Sequence, residues 1–249
     1  MQFITNSTDI KNVYENMERY KNAIEEMSNN QMSLTYRIHE IDTPVTTISY
    51  DEEHGYYIDP IDTKDIIYDL VKGNEYDHIF VVARMEDETG TYSIPIQGNW
   101  VGLGGMDMYG IGYSIIRINK NGNTTLYEYT TFHRFPEEVY VHEFLHTLER
   151  NLEERGYQIP ALHDYEKYGY TEDNATGLEN WYIDYMSKNI DTESGKKVGL
   201  YSDVYLMKPY HPSDFEYSTE IEFNKEPSNL IEEIRAIFQA IEFGFNNNK

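Results

Sequence analysis

The stretch Val139-Tyr140-Val141-His142-Glu143-Phe144-Leu145-His146-Thr147-Leu148 decides how the rest of the chain is read. Two histidines four residues apart stand one turn above each other on a helix, so both imidazoles can reach a single metal ion. Zinc is the ion such a pair suits best. Glu143 is turned by about 100° from His142, which keeps it off the metal but beside a water bound there, where a general base belongs. Val139, Val141, Leu145, Leu148 and Leu152 flank the His142 face, the pattern of a helix running under a cleft. Pro136 suits its first turn, Glu137 and Glu138 suit its positive end, and Gly156 suits its close.

Outward from this helix, the apolar residues Ile10, Val13, Met17, Tyr20, Ile24 and Met27 predict an amphipathic helix after the capping-type residues Ser7 and Thr8. Residues 32–41 and 44–50 alternate and predict two strands. A helix is expected over 62–72, and the short apolar run at 79–83 has the signature of a strand covered on both faces. Six glycines, Gly98, Gly102, Gly104, Gly105, Gly110 and Gly112, surround Trp100 and two methionines. They lack the Gly-Lys-Ser/Thr ending and dinucleotide spacing of phosphate cradles, so a loop or bulged edge strand beside the cleft is expected. Residues 113–118 and 124–131 flank Asn121-Gly122, a hairpin signal. Thr176 to Glu179 reads as a capping box before a helix carrying Trp181, Tyr182, Tyr185, Met186 and Ile190. A last helix is expected from near Pro227 to Gly244.

At 249 residues, the chain can bury a core without staples, and its zero cysteines leave His, Asp and Glu as the only strong ligands for a metal. A formal charge of −24, from 44 acidic and 20 basic residues, argues against nucleic acid or an anionic membrane as partner, because both would be repelled. Peptides with basic or neutral residues are favoured instead, given Glu137, Glu138, Glu149, Glu153 and Glu154 in and near the motif. No transmembrane segment or signal peptide is visible, and the expected setting is extracellular, as a mature chain.

A catalytic zinc needs a third protein ligand and an open position. The candidates lie in Leu162-His163-Asp164-Tyr165-Glu166-Lys167-Tyr168-Gly169-Tyr170, a segment that a loop from Gly156 through Pro160 could return to the metal. His163 is the first choice, Asp164 the second and Glu166 the third. From Val139 to Tyr170 the chain resembles the zincin metallopeptidases. Metalloprotease versions of the motif share the uncharged residues between the ligands, the Val before the first His and the apolar residue after the second. Metzincins place a glycine after the motif, where Glu149 and Arg150 stand here. Gluzincins use a Glu at a spacing that lands on Glu166. Aspzincins carry an Asp shortly before Tyr-Gly, to which Asp164 with Tyr168-Gly169-Tyr170 is similar, though one residue too long. Met207 and Met186 are the candidates for a methionine turn, with core packing the favoured role for each.

The resemblance implies an α/β (α+β) zincin-like fold: a twisted mixed sheet with helices, the HExxH helix at the cleft floor, and a mainly helical C-terminal part. It implies one catalytic domain over 1–249, with 1–156 and 157–249 as candidate lobes. The implied activity is that of a zinc endopeptidase, a hydrolase of peptide or protein substrates. His142, His146 and His163 would hold one Zn²⁺, Glu143 would act as base, and Tyr168, Tyr170 or Tyr210 would stabilise the oxyanion. The alternatives are a zincin-fold binding or toxin-like module with lost activity, which binds metal without turnover, and a metal-free interaction domain.

Overall fold

A computed structural model describes residues 3–72, 76–98, 100–120, 137–154, 157, 159–171, 178–200 and the backbone of 238–245. The first helix, α1 (Ser7–Met27), buries Val13, Met17, Tyr20, Ile24 and Met27 along one stripe. Its cap is Asn6, not Ser7 or Thr8. The Asn6 side chain accepts from the Thr8 and Asp9 amides, and the Asp9 carboxylate accepts from the Asn6 amide in return.

Strand β1 (Leu34–Ile41) follows, and then the hairpin β2 (Ser49–Asp51) and β3 (Gly55–Tyr57). The strand expected over 44–50 is thus shortened to its end; Pro44, which has no amide to donate, begins the part without ladder pairing. Helix α2 (Pro60–Val71) is capped by Asp59. Strand β4 (His78–Arg84) is buried along its whole length. Phe80 and Val82 enter one core cluster with α1, while Ile79, Val81 and Ala83 enter a second with Ile67 and Val71 of α2. That alternation is why the run reads as continuously apolar: both faces of the strand are covered.

The glycine-rich segment forms β5 (Gly102–Met108), which pairs antiparallel with β6 (Ile111–Ile118) and shifts register between Leu103 and Met106. The expectation of a bulged edge strand holds. The five-stranded sheet runs β1-β9-β4-β6-β5, where β9 is Phe238–Phe245. Strands β4 and β6 are parallel, and every other neighbouring pair is antiparallel. The residues expected to end the last helix are therefore a strand. Period alone does not separate a short apolar helix segment from a strand, and here β1 and β4 pair with β9 on both sides.

Helix α3 (Glu138–Glu154) carries the two motif histidines and packs across β5 and β6. Beyond it come a 3₁₀ segment (Leu162–Tyr168), helix α4 (Glu179–Met186) and the hairpin β7 (Ile190–Asp191) with β8 (Lys197–Val198). Helix α4 is preceded by Leu178 without a side-chain cap, and Ile190 lies in β7 instead of the helix. Among the described residues, β7, β8 and β9 add strands to the part expected to be mainly helical. The partner strand at 124–131, Pro136, Gly156, Thr176, Met207, Tyr210 and the start of the last expected helix lie outside the described residues. No described helix is long and apolar enough to cross a membrane.

A buried ion pair ties α1 to the end of β4. Arg84 donates to both Asp9 oxygens, through Nε at 2.9 Å, and also to the Asn119 carbonyl at 3.3 Å. The two side chains are 2 % and 0 % exposed. Removing one partner would leave the other charge buried and uncompensated. Arg84→Met is expected to destabilise the protein by roughly 3–5 kcal/mol, measured as a fall in the urea midpoint.

Candidate metal centre

Helix α3 sinks Tyr140, Val141, Phe144, Leu145 and Leu152 into the core shared with α1 and β4. This leaves His142 and His146 half-buried on the side that faces the returning chain. His163 reaches them from the 3₁₀ segment. Its Nε2 lies 3.1 Å from His142 Nε2, which lies 3.1 Å from His146 Nε2. Ligand atoms of all three rings fall within 4.8 Å of one another. Ligands held tetrahedrally at the usual zinc–nitrogen distance stand about 3.3 Å apart, close to the two 3.1 Å separations, so three imidazoles of this donor set suit a zinc ion.

The outward nitrogens of the two helical histidines are engaged. His142 Nδ1 lies 2.9 Å from the Tyr182 hydroxyl, which in turn is 3.4 Å from Glu138 Oε1. If the ring N–H donates to the phenol and the phenol to the carboxylate, Nε2 is left with its lone pair turned inward. His146 Nδ1 lies 3.0 Å from Glu149 Oε2. The other Glu149 oxygen accepts the Leu162 amide at 2.7 Å. One carboxylate therefore joins the second histidine to the segment that brings the third. Burial alone would lower the His146 pKa, but the Glu149 hydrogen bond and the charges of Glu143 and Glu149 lift it above its ordinary value. Burial opposes ionisation of Glu149, and the hydrogen bonds from His146 and Leu162 outweigh it, leaving the carboxyl below its ordinary value.

The 3₁₀ segment is fixed from below. Trp181 Nε1 donates to the Leu162 carbonyl at 3.0 Å and the Tyr185 hydroxyl to that of Pro160 at 3.0 Å. Gly169 closes it at φ +84, a conformation that suits glycine.

Glu143 points away from the histidines' partners and lies under β5, 5 % exposed. The strand comes so close that a Cβ on Gly102 would stand 2.6 Å from Glu143 Cγ, and one on Gly104 would stand 2.9 Å from Oε2. Burial pushes the Glu143 pKa up to about 7, while the His146 charge and a hydrogen bond from the Gly104 backbone pull the other way. Beneath the helix, Ser114 Oγ is 3.4 Å from the Glu143 carbonyl and 3.1 Å from His78 Nε2. Burial lowers the His78 pKa to about 3, so this ring is neutral.

The structure thus brings His142, His146 and His163 into one cluster, with Glu143 on the same helix as the first two. Asp164 instead accepts from Lys167 Nζ at 2.6 Å, and the carboxylate that orients an imidazole is that of Glu149. Neither Asp164 nor Glu166 belongs to the cluster. Tyr168 stacks on Trp181, and the Tyr170 hydroxyl donates to Asp184 at 2.7 Å, which ties both candidate oxyanion residues to α4. Met186 is a fully buried core residue, as its packing role anticipates. Of the five motif carboxylates expected to attract basic peptides, Glu138, Glu149 and Glu154 are occupied by Tyr182, by His146 with Leu162, and by Arg150. Sequence reasoning missed Glu149 and Tyr182 as ligand supports. Glu149 had a signal, since it lies three residues after His146 on the same helical face; Tyr182 had none.

Neither protein-family models, nor curated proteins, nor solved structures give a match to this chain.

The raised Glu143 pKa has a definite sign for the metal-free protein. The folded state holds a proton that the unfolded state releases, so the contribution is full below the ordinary carboxyl value of 4.5 and is lost as pH rises through about 7. Glu143→Gln removes this dependence. The melting temperature of the metal-free variant should gain on wild type as pH rises across that window, and a constant difference would contradict the burial argument.

Proposed function

We propose that this chain is a zinc-dependent endopeptidase of the zincin type, acting on peptide or protein substrates outside the cell. The observation that carries the reading is the convergence of three imidazole Nε2 atoms from α3 and the 3₁₀ segment beside a buried glutamate that belongs to the same helix but not to the cluster. In this reading, His142, His146 and His163 hold one zinc ion. When bound, zinc supplies a Lewis acid for the peptide carbonyl and makes water a nucleophile near neutral pH.

The remaining work belongs to the side chains. Glu143 accepts a proton at its carboxylate and delivers it to the leaving amine, and a pKa of about 7 lies where a group can do both. The hydrogen bond from the Gly104 backbone holds that carboxylate in place. Tyr182 and Glu149 keep the His142 and His146 rings in one tautomer and orientation. Tyr168, Tyr170 and Tyr210 stay the candidates for stabilising the oxyanion.

Purified protein should carry about one equivalent of zinc by elemental analysis, and His142→Ala should lose it. Glu143→Gln should keep zinc and lose peptide hydrolysis; a variant cleaving at the wild-type rate would remove Glu143 from the chemistry. Zinc retained by a wild-type protein that cleaves no peptide would favour the binding-module alternative. Glu149→Gln, which weakens the support of His146, should reduce zinc affinity by roughly 10–100-fold in a chelator competition. An unchanged affinity would reduce Glu149 to a fold residue.

A further inference from the structure

Strand β5 runs alongside α3 in the same sense. Gly102 and Gly104 pass over Glu143, and a Cβ on Gly105 would lie 3.7 Å from that of His146. Arg150 Nη1 donates to the Gly105 carbonyl at 2.6 Å, and beyond that bond opens a cavity of about 500 Å³. This is within the range of pockets that enclose small ligands, roughly 300–1,000 Å³. Its walls come from the end of β5 and the first turn of α2, through Met106, Met108, Tyr109, Pro60 and Ile61.

The charged lining consists of Asp59, Asp107, Lys64 and Arg150, two of each sign. Most of these charges are already committed. Asp59 caps α2 through the Ile61 amide, Asp107 accepts the Gly110 amide, and Arg150 pairs with Glu154. In a chain of net charge −24, this is a locally balanced, largely apolar recess. Methionine walls adapt to differently shaped apolar groups. From His146 to Arg150 is four residues of helix, roughly 6 Å along the axis, or about two residues of extended peptide.

Resting on the metallopeptidase reading, we propose that this cavity is a subsite for the substrate. It takes a bulky apolar side chain, such as Leu, Met or Phe, one to three residues from the bond that is cut.

The test uses the full zinc-loaded chain and a peptide series varied at each position around the scissile bond. At one position, Leu, Met or Phe should raise kcat/KM about 10-fold or more over Ala, chiefly through KM. Ile61→Asp places a charge at the cavity mouth, where Ile61 is 61 % exposed. An acidic residue suits the first turn of a helix, so α2 should persist. This variant should abolish the preference while zinc content and cleavage of the Ala peptide stay unchanged. Met106→Ala, from the opposite wall, should shift the preference toward larger aromatic side chains. Cleavage with a profile that neither variant alters would overturn the subsite and leave the peptidase reading standing. A fully zinc-loaded protein that cleaves no peptide in the series would overturn both.

Discussion

Glu143 is sealed between α3 and β5, and that contact demands two positions without a side chain on the strand above it. Any Cβ at Gly102 or Gly104 would occupy space held by Glu143 atoms. The strand can come that near because, among the described residues, it lies at the edge of the sheet and pairs with β6 alone, and it shifts register over Gly104 and Gly105. The approach has two consequences. It removes water from the carboxylate, which lifts its pKa, and it brings the backbone amide that steadies the group once ionised. A glycine-rich stretch without the spacing of a phosphate cradle thus has a physical reason for its composition.

The histidines depend on a different set of contacts, and those contacts connect. Glu138 and Tyr182 stand behind His142, and Glu149 stands behind His146 while accepting from Leu162. Tyr182 and Trp181 are neighbours on α4, and Trp181 holds the Leu162 carbonyl. Helix α4 therefore supports one histidine on α3 and also the segment carrying His163. Where metzincins have a glycine for a sharp turn, this chain continues its helix and uses the glutamate at that place to dock the returning segment. His163 is brought to the other two histidines with the link made by a side chain in place of a tight turn.

The sheet joins the two halves of the sequence. Strand β9, from the far end of the chain, pairs between β1 and β4. Its insertion separates strands that sequence order alone would have set side by side. On one face of this sheet sit α1, α3 and α4, and on the other sits α2. The candidate centre lies on the first face, while the cavity beside it draws on both, because the end of β5 reaches past the sheet edge to α2.

What could be read from residues alone was local. The four-residue spacing of His142 and His146, the offset of Glu143, the stripe of α1 and the continuous burial of β4 all follow from helix and strand periods, which act within a few residues. His163 was legible only as one of three candidates, because its arrival depends on loop closure and on hydrogen bonds to Glu149 and from Trp181, which no period encodes. The β9 segment was misread as helix for a related reason: its conformation is supported by pairing with residues some 160 to 210 positions earlier, and a short apolar run carries no record of such partners. The burial that raises Glu143, the phenol behind His142 and the cavity beyond Arg150 belong to the same category. Each is made by packing between elements distant in sequence, so only the tertiary structure decided them.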